Sequence, residues 1–515
     1  MLAGMAKLFR ILSATCLLLV LAACTSVPFD YPRTPSEAHP AVATTELGRI
    51  QHDWITEHGD DSGFIALHGG LEALGARLAL MESSQASIDA QYFLIKPDQA
   101  GELFLGKLLR AANRGVRVRL LIDDIFTPRM DSVLALLNTH DNVEVRLFNP
   151  LSRSSPVAWS MVFDFKRTNR RMHNKSFVVD GSLAIMGGRN IAEEYFELTE
   201  QADFDDFELL MIGDIVPQIS HSFDVFWNSE LAVPMEAFGV AGSERRLQLW
   251  LDIMDDVASG KRPSAYAEAI DSPFLQEIRS GARAAVVAPA TLVYDPPDKL
   301  IAARRSREHR SLAAELKRRF DAATKEILLV TPYFIPRDEG VEWIRSITER
   351  GVRLVVVTNS LASTNHVAVH SGYARYRRDL LAAGVELYEL RVDVQRKSDR
   401  KGFEAERRTL HSKAVVIDRK EVFAGSLNFD PRSIAINTEV GLFIDSPVKG
   451  KQLAERIENG IKDYTYQVKL NQKGQLRWYF HGKDGVEEYK SDPQSSGWRK
   501  FKAGFYGLLP IEDQL

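Results

Sequence analysis

The chain repeats itself, and the repeat limits what it can fold into. Ser87-Ile88-Asp89-Ala90-Gln91-Tyr92-Phe93 alternates like a strand, and a helix-period segment around 105–112 leads to Gly115-Val116-Arg117-Val118-Arg119-Leu120-Leu121. In the second half Ile327-Leu328-Leu329-Val330-Thr331-Pro332-Tyr333-Phe334 takes the place of the first strand. A helical segment near 341–350 and then Gly351-Val352-Arg353-Leu354-Val355-Val356-Val357 follow. Asn142-Val143-Glu144-Val145 and Gly384-Val385-Glu386-Leu387 continue the correspondence, always 236 to 242 positions apart. One shared strand–helix–strand element would carry little information, because such units are common. Several elements in one order at one spacing require two copies of a domain. Strands alternating with helices make each copy a layered α/β unit. At 515 residues the chain also exceeds what one core usually supports, and a 45% hydrophobic composition can fill two.

The repeat ends in matching chemistry. His173-Asn174-Lys175-Ser176-Phe177-Val178-Val179-Asp180 is followed by Gly187-Gly188-Arg189-Asn190. His411-Ser412-Lys413-Ala414-Val415-Val416-Ile417-Asp418 is followed by Gly425-Ser426-Leu427-Asn428. A single His-x-Lys-x4-Asp match is weak; two at corresponding places of a repeat are strong. The apolar residues at 177–179 and 414–417 mark strands, and side chains two apart on a strand share a face. His and Lys therefore project together. Imidazole can attack phosphorus while ammonium holds the non-bridging oxygens of a phosphodiester. Asn190, Ser426 and Asn428 can donate hydrogen bonds to the same oxygens. Asp180 and Asp418 complete the motifs and are expected to orient the site rather than react. Two histidines from two halves suggest that one attacks as neutral imidazole and the other gives a proton to the leaving alkoxide. That division requires the halves to face each other across an approximate two-fold axis. Each histidine wants a carboxylate on its other nitrogen. Glu439, before the strand 440–444, fits in the second half, and Asp206, before 207–212, fits in the first; both could instead be strand caps.

The N-terminus reads as a secretory signal over 1–23: Lys7 and Arg10, an apolar run from Ile11 to Leu21, then Ala22, Ala23 and Cys24. That run is too short to span a membrane. Leu21-Ala22-Ala23-Cys24 resembles the lipobox of bacterial lipoproteins, which implies a lipidated Cys24 at the start of the mature chain, held stably by more than one acyl chain. Cys16 leaves with the signal, so no disulfide is expected. Thr25 after the cysteine, rather than Asp, resembles outer-membrane sorting and leaves the choice of membrane open. Residues 24–45, with Pro28, Pro32, Pro35 and Pro40, are expected to be a tether. The first domain is expected over 46–290, with a helical insert at about 230–285 that matches nothing in the second half. The second is expected over 291–515, with Tyr294-Asp295-Pro296-Pro297-Asp298 marking the boundary region. Basic runs at 166–171 and 396–408 sit directly upstream of the two motifs and point to anion binding. A net charge of −4 argues against a general nucleic-acid binder. The twelve histidines form no zinc-spaced cluster.

On these residues the chain resembles the phospholipase D superfamily in its two-motif branch, over about residues 46–515. The resemblance implies a duplicated α/β/α sandwich whose halves are related by a pseudo-two-fold axis around one shared active site. It implies no metal or other cofactor and a covalent phosphohistidine intermediate. It also implies His173 as nucleophile, His411 as general acid, and Lys175 and Lys413 as phosphate ligands; the order of the histidines rests on it alone. Gln91-Tyr92-Phe93, His370-Ser371-Gly372-Tyr373-Ala374-Arg375-Tyr376-Arg377 and Leu508-Leu509-Pro510-Ile511-Glu512 are similar to the cardiolipin synthase C-type group. There a phosphatidyl unit passes between phospholipids, often from phosphatidylethanolamine to phosphatidylglycerol. His370 is read either as a substrate contact or as a helix-surface residue. The expected activity is thus cardiolipin-forming phosphatidyl transfer by a membrane-anchored lipoprotein facing the periplasm. The alternatives are a phospholipase D releasing phosphatidic acid, an endonuclease of the same superfamily, and a silent surface lipoprotein, for which intact motifs would have no chemical use. Donor, acceptor, accessory protein and oligomeric state are left open at this level.

Overall fold

Two mixed sheets carry the repeat. The computed structural model describes residues 27–515 apart from 128–129, 155, 200–202, scattered positions between 243 and 282, 302–310, 394–407 and 483–484. The signal segment, Cys24 and most of the basic run 396–408 lie outside the described residues. The first half contributes β1 (Ser62–Leu67), β2 (Ser87–Tyr92), β3 (Arg117–Asp123), β4 (Val143–Phe148), β5 (Ser176–Val179), β6 (Leu183–Gly187), β7 (Asp203–Asp205), β8 (Glu208–Ile212), β9 (Ala232–Pro234) and β10 (Val286–Ala288). The second contributes β11 (Ala290–Tyr294), β12 (Glu326–Val330), β13 (Arg353–Asn359), β14 (Glu386–Leu390), β15 (Arg408–Leu410), β16 (Ala414–Ile417), β17 (Glu421–Gly425), β18 (Val440–Asp445), β19 (Thr465–Leu470), β20 (Leu476–Gly482) and β21 (Gly485–Tyr489).

The first sheet runs β10-β1-β8-β6-β5-β2-β3-β4-β9 and the second β11-β18-β17-β16-β12-β13-β14-β19-β20-β21. From β1 to β9 and from β11 to β19 the two orders coincide. In both, the three central strands are parallel and their neighbours antiparallel. Strand β2 is buried at every position, as a central parallel strand covered on both faces must be. The helix Gln99–Asn113 starts where Asp98 caps the Gly101 amide and gives way to Gly115 at φ 93°. Its counterpart, Arg337–Glu349, gives way to Gly351 at φ 84°. A left-handed residue is what turns each helix back into the next parallel strand, and glycine takes that conformation without a Cβ penalty.

The core has three principal parts. One packs the helices Gly70–Ser83 and Gln99–Asn113 on the outer face of the first sheet, and a second packs Leu312–Ala322, Arg337–Glu349 and Val367–Ala382 on that of the second. The third joins the inner faces, bringing Val178, Leu209 and Met211 together with Leu328, Val355, Val416 and Leu442. The fold is a duplicated α/β/α sandwich. No helix among the described residues is long and apolar enough to cross a membrane.

Three organisational expectations need correction. Residues 27–45 are not laid out as a free tether where they are described. Arg33 donates to the Glu230 and Ala232 carbonyls at 2.9 Å, Ala38 donates its amide to Asp224, and the Trp227 indole donates to Ser36 at 2.9 Å. Polar partners supplement the one aromatic anchor, Phe29, which packs against the Phe148, Phe226 and Trp227 cluster. The insert is also not purely helical: β9 pairs with β4 as β19 pairs with β14, so this part of the repeat is present. Three residues, Ala232-Val233-Pro234, are too few to show alternation. The helix Ala265–Ile270 does lie in the insert, with Ala269 buried in the first core. Finally, the chain crosses between sheets at Pro289, before the Tyr294–Asp298 turn, because β10 and β11 already belong to different sheets.

Candidate active site

The two motifs meet where the halves interlock. Strand β7 pairs in parallel with β15, and Met172 forms a parallel bridge with Thr438. These are the same contact seen from either half: the His411 amide donates to the Asp205 carbonyl at 2.8 Å, and the His173 amide donates to Thr438 at 3.0 Å. Each histidine is thus hung on the backbone of the opposite half, beside that half's acidic residue. His173 Nδ1 lies 2.9 Å from Glu439 Oε2, and His411 Nδ1 lies 2.5 Å from Asp206 Oδ2. The orienting carboxylates are the two residues singled out from the sequence, but their pairing is crossed. Each acid directly follows the residue whose carbonyl accepts the other half's histidine amide, Asp205 before Asp206 and Thr438 before Glu439, which sets it beside that histidine.

Burial governs the electrostatics. Desolvation lowers His173 to about 4 against the pull of Glu439, so its imidazole is neutral at physiological pH. Burial, then Lys413, Lys175 and His173, hold His411 well below its ordinary range. Burial also lowers Lys175 to about 7 and Lys413 to about 8. Burial alone would raise Glu439, but His173, Lys175 and a hydrogen bond from Ser426 hold it below the usual carboxylate range. Asp206 behaves oppositely: burial pushes it up to about 6 despite Lys413 and Arg189. A carboxylate on Nδ1 turns Nε2 of each imidazole away from the carboxylate, and on His411 that nitrogen has Lys413 as its neighbour.

The remaining motif residues separate into those in the cleft and those behind it. Lys175 lies 5.2 Å over the Phe93 ring, and Lys413 Nζ lies 3.1 Å from His411 Nε2. Asn190 donates to the Tyr195 hydroxyl at 2.9 Å, and the amide oxygens of Asn190 and Asn428 are both buried without a partner. Ser426 does not reach towards a phosphate; its hydroxyl donates to Glu439. Asp180 accepts the amides of Gln85, Ala86 and Ser87, and Asp418 those of Thr324, Lys325 and Glu326, so both hold the turn that opens the first strand of each repeat. Both stand at φ near +50°. His370 is a buried member of a network with Arg377, not a helix-surface residue. Arg171 is buried 3.4 Å from Asp123 and Arg167 is tied to Asp164 and the Pro150 carbonyl, so these arginines of the first basic run support the fold instead of binding an anion. Arg408, the described end of the second run, pairs with Asp203 at 3.1 Å.

Several site neighbours escaped the sequence reading. The Phe93 ring edge meets His173 at 4.9 Å, Tyr195 meets His411 edge-on at 5.2 Å, and Phe204 stacks on His411 at 5.5 Å. Tyr195, five positions after Asn190, is a local signal that could have been noticed; Phe204 is not. A cavity of about 470 Å³ adjoins Asp206 and Ser412 beneath the helix Pro447–Tyr464.

Two neutral imidazoles facing one cleft, each steered by a carboxylate and accompanied by a lysine, make up the equipment of an enzyme that transfers phosphodiesters through two histidine motifs. The comparisons narrow that class. The family described as "Cardiolipin synthase, PLD-like domain" matches residues 78–223 and 316–463, one segment in each half. Cardiolipin synthase C of Escherichia coli is 35% identical over 465 residues, covering 89% of this chain and 97% of that protein. An uncharacterized Helicobacter pylori protein is 30% identical over 454 residues, covering 86% and 87%. The crystal structure of a Haemophilus influenzae phosphatidylserine synthase shares the fold, with a TM-score of 0.54 at 14% identity over 83% of this chain and 94% of that one. The chain belongs to the cardiolipin synthase family of phospholipase D-like proteins.

Proposed function

We propose that this enzyme makes cardiolipin by moving a phosphatidyl group from phosphatidylethanolamine to a hydroxyl of phosphatidylglycerol, through a phosphohistidine on His173. The crossed histidine–carboxylate pairs carry this reading, because they set two imidazoles in one cleft beside carboxylates whose surroundings pull them in opposite directions. Ionised Glu439 accepts the Nδ1 proton of His173, leaving Nε2 to attack phosphorus. The phosphodiester anion between the lysines raises the proton affinity of His411, which takes up a proton from solvent as the substrate binds and donates it to the departing headgroup oxygen as the P–O bond breaks. In the second step the acceptor hydroxyl returns a proton to His411 while its oxygen displaces His173 from phosphorus. Lys175 and Lys413 hold the non-bridging oxygens throughout. The amides of Asn190 and Asn428, turned so that Nδ2 stands where the unpartnered oxygens lie, add donors to the same charge. A membrane setting fits these substrates: Cys24 carries the lipid anchor on the periplasmic side, with the outer membrane as the site Thr25 favours.

Purified full-length protein in vesicles of phosphatidylethanolamine and phosphatidylglycerol should form cardiolipin without added metal. Formation of phosphatidic acid alone would replace the synthase reading with a hydrolase. Mass spectrometry of the protein from membranes should find diacylglyceryl-modified Cys24 at the N-terminus; an unmodified residue there would remove the anchor.

A further inference from the structure

The helix Gly497–Gly507 wears its apolar stripe outward. In a helix lying on a protein surface, apolar residues at helical spacing normally face the core. Here Trp498, Phe501, Phe505 and Leu508 recur at three and four residues, yet they are 64%, 62%, 53% and 84% exposed. No residue of the helix is buried. It lies instead along the helix Val367–Ala382 on its small and polar side, with Arg499 donating to the carbonyls of Leu361 and Thr364. The helix Val157–Phe163 does the same with Val162 and Phe163, 71% and 64% exposed, and with Trp159 5.8 Å from the Phe163 ring. Exposed apolar clusters of this kind mark interaction surfaces.

One contact ties the chain beyond the first stripe to the chain beyond the second. Beyond Leu508 the chain runs to Gln514, whose side chain accepts from Asn169 at 2.6 Å, directly after the short helix Phe165–Thr168. The active site opens nearby on both halves. The loop that holds Arg499 also accepts, through the Ser363 carbonyl, from the Thr409 hydroxyl at 2.7 Å, two residues before His411. In the first half the exposed Phe126 touches Phe93 at 5.5 Å, and Phe93 touches His173.

We propose that this face docks on a bilayer containing anionic phospholipid, with the Trp498 stripe and the Val162–Phe163 pair entering the interfacial layer around the mouth of the site. The proposal rests on the phosphatidyl-transfer reading for its substrate. Composition and charge select a lipid surface over a second copy of the chain. Trp and Phe alternate with Lys500 and Lys502, exposed Lys166 flanks the second stripe, and Lys502 stands 5.3 Å over the Trp498 ring. Aromatic bodies beside ammonium groups are the mixture that places a helix at the headgroup level of an anionic membrane.

Full-length protein is tested on vesicles of phosphatidylethanolamine and phosphatidylglycerol with brominated acyl chains, following tryptophan emission. Quenching should be strong, and Trp498→Phe should remove the largest share of it. The double variant Phe501→Asp/Phe505→Asp should lose about tenfold or more of its vesicle activity. Its transfer between monomeric short-chain lipids should stay within about twofold of the parent. Equal loss on both substrates would overturn the proposal, because the helix would then be supporting the site. Unchanged vesicle activity, or quenching that Trp498→Phe does not reduce, would overturn it too. A dimer that the double variant makes monomeric, without bromolipid quenching, would assign the stripe to a second copy. Quenching through Trp498 with no cardiolipin from either substrate would uphold docking and reject the transfer reading.

Discussion

The pockets around His173 and His411 share a backbone plan and differ in the length of the acid and in one small residue behind it. Behind His173 stands Glu439, and Ser426 donates to it. Behind His411 stands Asp206, and the position matching Ser426 is Gly188, where a Cβ would come within 2.2 Å of the Asp206 carboxylate. Glutamate places its carboxylate one methylene further from the backbone, which leaves room for a hydroxyl; aspartate fills that space itself. The extra donor helps to hold Glu439 ionised, whereas Asp206 rises to about 6. Duplication supplied two sites, and in the proposed reaction this small difference is what would divide their work. An ionised partner favours a nucleophile, and a partner that shares its proton favours proton exchange.

The largest effect should come from the histidines. His173→Ala should lower kcat by about 10⁴-fold or more and abolish the covalent adduct seen after acid quench. His411→Ala should be nearly as slow in turnover yet still trap the adduct; the reverse pattern would exchange the two roles. Next, Glu439→Gln should cost about 10³–10⁴-fold in kcat, by analogy with the loss of an orienting carboxylate in a hydrolase triad, and Asp206→Asn measurably less. Equal losses would mean that the pockets are electrostatically equivalent.

The pH profile sharpens the same contrast. His173, held at about 4, stays neutral through mildly acidic pH, so kcat/KM should keep its acid limb near pH 4 and not near 6.5. Lys175 and Lys413, lowered to about 7 and 8, are charged below those values and lose their protons above them, so activity should fall between pH 7 and 8. Lys175→Arg should move that alkaline limb upward; an unmoved limb would assign it elsewhere. The smallest effect concerns the turns. Asp180→Ala, leaving buried amides unpaired, should cost about 1–3 kcal/mol in urea unfolding. The half-exposed Asp418→Ala should cost about 1 kcal/mol or less, since water can reach its donors.

Much of this was legible in the residues themselves. The repeat predicted two α/β units in one order, and the sheets have that order. The His-x-Lys spacing predicted a shared strand face, but β5 and β16 begin one residue after each lysine, so both pairs sit on the approach to the strand and not on its face. The acids before β8 and β18 were identifiable because each precedes a strand at matching places. Other readings failed where a tertiary partner intervened. The basic residues before His173 looked available for an anion until Asp123, 48 positions before Arg171, proved to be one of their partners. The proline-rich segment after Cys24 looked unattached until Ser36 and Ala38 found Trp227 and Asp224.

The sequence by itself determined the duplicated α/β architecture and singled out the two His-x-Lys pairs that the fold brings together, because periodicity and close spacing report local backbone geometry. Only the tertiary structure decided how the orienting pairs connect. His173 and Glu439 are 266 residues apart, and His411 and Asp206 are 205 apart, with each pair spanning the two halves. No local pattern encodes such a contact. It follows from two sheets packing inner face to inner face until the backbone of each half reaches the histidine of the other.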